Sequence, residues 1–155
     1  MKCLGFNFQK GKIRVVELKR ESNAAISVVK SELVKIDPKL EFTELMDRYK
    51  RDFIELIDHN KPNLLAARQV YDIDTIDGAN FQIAPVAILG LLAKQKQLSL
   101  NLYNAGGLRS AGPFGLEKGA KPIEAVDRLF GNHSPNWDEF QKAALLVAWR
   151  ALRES

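Results

Sequence analysis

The opening stretch alternates cleanly and then turns back on itself. Met1 to Leu18 reads MKCLGFNFQKGKIRVVEL: an apolar strand, a turn around Gly11, and a second strand returning beside the first. Successive side chains on a strand point to opposite faces, so Leu4, Phe6 and Phe8 share one face and Cys3, Gly5 and Asn7 the other. One polar side chain, Asn7, therefore lands mid-strand on a face otherwise built of small residues. A buried site would begin there.

The rest of the chain must supply partners for that hairpin. Ala24 to Ile36 is rich in β-branched residues, which predicts a third antiparallel strand with a bulge where the alternation slips; Asp37-Pro38 ends it. From Phe42 to His59 the apolar positions Phe42, Leu45, Met46, Tyr49, Phe53, Leu56 and Ile57 fall three and four apart, the spacing of an amphipathic helix. Asn60 to Asn63 breaks it, and Leu64 to Tyr71 reads as a short buried strand. A helix leading into a buried strand implies a crossover, hence parallel pairing beside the first strand.

Asp72 to Asn80 reads as an acidic loop. Asp72, Asp74 and Asp77 invite a calcium reading, but the glycine and terminal glutamate of an EF-hand are out of register. Pro85 is expected to open a helix, apolar all round, that runs to Lys94 and buries against the sheet or a partner chain. Leu98, Leu100 and Leu102 alternate with Ser99, Asn101 and Tyr103 as a strand.

Asn104 to Lys121 carries five glycines and interleaves Arg109, Lys118 and Lys121 with Phe114. The basic side chains would suit a phosphate backbone and the ring a stacked base; a flexible surface loop is the alternative. No Gly-Lys-Ser/Thr ends the stretch, so it is not a P-loop. Pro122 to Phe130 is a short helix. In the last helix Asn136 is the expected N-cap, with Glu139 at the third position of a capping box. Trp137, Phe140, Ala144, Val147, Ala148 and Leu152 form its buried stripe.

At 155 residues the chain suits one domain, residues 1–155, with one well-covered core. No unbroken apolar run reaches a membrane span and the start lacks a signal-peptide core, so no membrane partner and a cytoplasmic location are expected. Cys3 has no partner for a disulfide, and with His59 and His133 as the only imidazoles a zinc cluster is not expected. A net charge of +4, from 23 basic and 19 acidic residues, permits contact with nucleic acid without demanding it.

The order hairpin, third strand, helix, strand, helix, strand, helix, helix predicts an α/β fold of ribonuclease H-like type. Its mixed five-stranded sheet would hold three antiparallel then two parallel strands, with helices on both faces. LGFNFQKGKIRVVEL resembles the opening of RuvC-type Holliday-junction resolvases, KPNLLAARQVY their fourth strand, and DEFQKAALLVAW their last helix. The chain also resembles an uncharacterised bacterial family of RuvC-like domains.

Nucleases of that kind hold two Mg²⁺ about 4 Å apart on four carboxylates. The resemblance puts those four positions at Asn7, Arg68, Asp138 and Gln141, so one carboxylate of four remains. Asn7 offers a neutral oxygen, and Arg68 would compete with a metal ion. An Arg68–Asp138 ion pair is therefore expected where metal would sit. Asp138 also suits a helix N-terminus on electrostatic grounds alone. Asp138, Glu139 and Glu17 are the remaining metal candidates, Glu17 only if it shares a face with Asn7.

The leading expectation is a resolvase-like domain without nuclease activity or cofactor. It would bind branched DNA, RNA or a protein partner, with Arg68, Arg109, Lys118 and Lys121 on phosphates and Phe114 on a base. A Mg²⁺-dependent nuclease with a rearranged acidic site is the alternative. A dimerisation module is another, since resolvases of this type are homodimers and Val86 to Ala93 with Trp149 could supply an interface. An actin-like ATPase would need a second duplicated half, for which 155 residues leave no room.

Overall fold

The computed structural model describes Met1–Ser155. Strands β1 (Lys2–Gln9), β2 (Lys12–Arg20) and β3 (Ile26–Lys35) are antiparallel neighbours, and β4 (Leu64–Arg68) and β5 (Ser99–Tyr103) extend the sheet in parallel beyond β1. The order across the sheet is β3-β2-β1-β4-β5. Lys10 and Gly11 form the first turn, with Gly11 at φ +71°, a conformation glycine enters without a Cβ penalty. The expected bulge in β3 is present: Glu17 pairs with Lys30 but Leu18 with Val28, so Val29 is the extra residue.

Helices cover both faces. The helices are α1 (Phe42–Asn60), α2 (Ile76–Gly78), α3 (Ala84–Gln95), α4 (Pro122–Phe130) and α5 (Glu139–Glu154). On one face Leu4, Phe6, Phe8, Ile13 and Val15 pack with Tyr49 and Phe53 of α1 and Leu89 and Leu92 of α3. On the other, Cys3, Val16, Leu18, Leu64 and Ala66 pack with Ala144, Leu145, Ala148 and Leu152 of α5. Gly5 is what lets α5 lie so close. A Cβ there would stand 2.1 Å from the Ala144 carbonyl oxygen and 2.8 Å from the Ala148 Cβ.

Several segments depart from expectation for identifiable reasons. Strand β4 stops at Arg68 because β5 ends opposite at Tyr103, whose carbonyl takes the last bond, from the Gln69 N–H. The helix expected from Pro85 begins earlier. Residues Ile76–Gly78, a π-turn at Ala79–Ile83 and Ala84–Gln95 run on without a break. Placing Pro85 next to the wider turn spares it the clash it would cause inside a regular helix.

That run, Ile76–Gln95, is by length and composition apolar enough to cross a membrane, which the sequence reading did not anticipate. Its inner side, Phe81, Leu89, Leu92 and Ala93, is buried in the core over α1. Trp149, expected at a subunit interface, is only 5% exposed and sits between Phe114 at 4.7 Å and Phe130 at 5.1 Å. It cannot reach a partner chain. Phe42, expected in the buried stripe of α1, is exposed at the helix start.

A side chain at position 5 must push α5 off the sheet. Gly5→Ala is expected to cost about 3 kcal/mol, the upper range for overpacking a core, read as a lower midpoint in urea unfolding. Gly112→Ala, where a Cβ meets nothing within 4 Å, is the control expected to change it little.

Candidate functional site

Pairing fixes which side chains meet on the α5 face. Asn7 lies directly opposite Arg14 on β2, and Gly5 opposite Ala66 on β4. Arg68, two residues beyond Ala66, shares that face. The first turn of α5 comes down over these residues. Asp138 is its N-cap, with Oδ1 accepting from the Phe140 N–H at 3.1 Å and the Gln141 N–H at 2.9 Å. Asn136, expected to cap, lies before the helix. A carboxylate at this position satisfies orphan amides and complements the helix dipole together.

The same Oδ1 accepts from Arg14 Nη1 at 2.9 Å. The Arg14 side chain is 5% exposed, its Nε donates to Gln9 Oε1 at 3.1 Å, and its guanidinium lies 5.8 Å from the Phe140 ring centroid. The expected pairing of Asp138 with Arg68 is therefore corrected: Asp138 is held from β2 by Arg14. The two side chains belong to different surroundings, since Arg68 lines a cleft on the other side of the α5 start.

Burial alone would push the Asp138 carboxyl up. The Gln141 amide, the charge and hydrogen bond of Arg14 and the Phe140 amide outweigh it and hold the group below its ordinary 3.8.

The two amides are engaged as donors. Asn7 Nδ2 donates to the Phe140 carbonyl at 3.0 Å. Gln141, fully buried, directs Nε2 at the Val15 and Glu32 carbonyls and Ser31 Oγ, at 2.9, 3.0 and 3.0 Å, and so stitches α5 to β2 and β3. Its Oε1 is buried without a protein partner. For a pair of Mg²⁺, which take oxygen ligands and favour carboxylates, these residues fit poorly. The one carboxylate is occupied by two amides and a guanidinium, and no three His, Cys, Asp or Glu converge as a metal-holding group.

Glu17 does not join them. It pairs across from Leu4 and so lies on the opposite face, 3% exposed, with Lys2 Nζ 3.0 Å from Oε1 in an ion pair too poorly aligned to be a hydrogen bond. Phe114 is likewise corrected as a stacking ring: it is 1% exposed and packed on Trp149, because the glycine-rich stretch folds its ring inward under two short 3₁₀ turns.

Of the basic residues singled out in the sequence, Arg68, Arg109 and Lys121 line one cleft of about 640 Å³, with Glu139 and Phe140 on its wall. Lys118 is exposed and is not part of that lining. A second groove, about 410 Å³, opens on the other side of Asp138 and is lined by Lys12, Arg14, Lys35 and Trp137. Arg14, Lys12 and Lys35 were missed in the sequence reading. For Arg14 a signal existed: counting back from a two-residue turn at Lys10-Gly11 pairs it with Asn7.

No family model matches the chain, and no curated protein matches it in sequence. Solved structures match it in fold. Thermus thermophilus RuvC in complex with a Holliday junction substrate aligns with a TM-score of 0.79 at 14% identity, over 99% of this chain and 95% of that one. The yeast mitochondrial Holliday junction resolvase Ydc2 aligns at 0.70 and 14% identity, over 98% and 80%. The fowlpox virus Holliday junction resolvase aligns at 0.67 and 7%, over the full length of both. The chain has the ribonuclease H-like fold in the arrangement of the RuvC-type resolvases.

A carboxyl whose folded value is depressed stabilises the fold when ionised, so the contribution of Asp138 is present above its unfolded value and lost as pH falls through the folded one. Because Asp138 is half exposed, the ion pair is expected to contribute no more than about 1 kcal/mol. Asp138→Asn, which still caps, should therefore flatten part of the loss of stability below about pH 4 in urea titrations while barely altering the slope near neutrality.

Proposed function

We propose that the protein binds nucleic acid, branched DNA or RNA, across the α5 face and does not cut it. The observation that carries this reading is the buried Arg14 guanidinium held on Asp138, the one carboxylate at the four positions where the resemblance puts metal-holding acids. A fixed cation there opposes binding of divalent ions, while basic side chains on both sides of it suit a polyanion. The structurally similar proteins supply the substrate class: one was solved with a Holliday junction. Arg68, Arg109 and Lys121 on one side and Lys12 and Lys35 on the other are the phosphate contacts, with the exposed Lys118 as a further one.

The rival reading, a nuclease with a rearranged acidic site, would have to rest on Asp138 with Glu139, since Glu17 lies across the sheet. Strand scission in Mg²⁺ or Mn²⁺ that Asp138→Ala abolishes would overturn the non-cleaving reading.

Self-association is a second reading favoured by a separate observation. Leu91 is 60% exposed, and Ile83, Val86, Ala87, Leu100 and Leu102 line an apolar groove between α3 and edge strand β5. We propose that a second copy covers this surface.

Two outcomes are expected. Affinity for a labelled four-way junction should fall steeply with salt, with a log–log slope made shallower by about two when Arg109 and Lys121 are both replaced by Ala; a slope near zero would contradict the binding reading. The protein should elute as a dimer by light-scattering chromatography and as a monomer after Leu91→Lys, whereas a monomeric parent would contradict self-association.

A further inference from the structure

We propose that the cleft beside Arg68 takes a single unpaired nucleotide, its base against the apolar floor and its phosphate on the basic rim. This deepens the nucleic-acid reading and rests on it. The floor is Leu108, Ala143 and Leu146, all nearly buried, and the rim includes Ile123 and Phe140, each 37% exposed. At about 640 Å³ the cleft lies within the usual range for small-ligand pockets, with room for one nucleotide and far too little for a duplex.

Three features select that ligand. Arg68 is half-buried and, unlike Arg14, finds no carboxylate or carbonyl acceptor in the protein. Its guanidinium fronts the open cleft with its N–H donors unpaired, and a phosphate can accept two parallel N–H bonds from it. Arg109 and Lys121, the latter also paired with Glu124 at 3.5 Å, line the same cleft and reinforce it. The apolar area is more than a phosphate needs and suits the flat face of a base, with the exposed Phe140 ring available for contact. Glu139, the one acid on the wall, would repel a second phosphate but accepts a hydrogen bond from a base amino group.

The site is also built in advance. Leu108 ends the 3₁₀ turn Gly106–Leu108, and Arg150 on α5 holds that turn by donating to the Gly107 carbonyl. A pocket fixed before binding loses less conformational freedom when it fills.

The test compares two labelled duplexes by fluorescence anisotropy, one with a single bulged adenosine and one with an abasic residue at the bulge. The bulged base is expected to bind about tenfold more tightly, in line with the stacking contribution of one base. Ile123→Ser, an uncharged change on the exposed rim and therefore safe for folding, should erase that difference while leaving affinity for the abasic duplex within about twofold. Equal affinity for base and abasic duplexes, with junction binding intact, overturns the nucleotide proposal and leaves the general reading standing.

A second arm separates a nucleotide in a strand from a free one. Deoxyadenylate and inorganic phosphate are titrated into ¹⁵N-labelled protein, and deoxyadenylate alone should shift the amides of Leu108, Ile123 and Ala143. If no nucleic acid binds yet deoxyadenylate shifts them, the cleft is a free-nucleotide site and the nucleic-acid reading falls. Absence of both the base effect and the shifts rejects the proposal outright.

Discussion

The seat of α5 on β1 governs this structure. Gly5 removes the side chain that would hold the helix away, and Ala144 and Ala148 fill the contact with methyl groups. Close approach at that point brings the helix start down on the hairpin. Asp138 then reaches Arg14, Gln141 reaches two strands, and the Phe140 carbonyl reaches Asn7. The polar cluster is thus the consequence of an apolar contact one turn further along.

Its electrostatics follow from burial. A guanidinium 5% exposed must have acceptors, because an unpaired buried charge costs far more than the pair contributes. Arg14 has two, from Gln9 and Asp138, and stands over an aromatic ring besides. Asp138 is consequently shared between capping a helix and holding a cation. An ion arriving from solvent would have to displace both. Arg68 and Arg109 have no such partners and face the cleft, and they form part of the surface on which the proposed ligand would lie.

The strand order and the direction of pairing were legible because each strand carries its own signal. The hairpin alternates, the Asp37-Pro38 and Asn60–Asn63 breaks are unambiguous, and α1 and α4 keep a regular apolar spacing. The site was half legible. Asn7, Asp138 and Gln141 do converge, yet Arg14 went unnoticed because a single basic residue inside an apolar strand reads as an edge position until its cross-strand neighbour is counted. Phe114 and Trp149 misled for the opposite reason. A ring in a glycine-rich stretch or near a terminus gives no local hint of burial, and their contact with each other joins segments far apart in sequence. The π-turn before Pro85 has no periodic signature either, since it widens the helix for less than two turns.

The central claim is that a protein cation occupies the place of metal ions. Titrating Mn²⁺ into the protein and following free ion by electron paramagnetic resonance measures this directly. The account predicts no tightly bound Mn²⁺ in the parent. Two bound ions per chain, lost on Asp138→Ala, would contradict it.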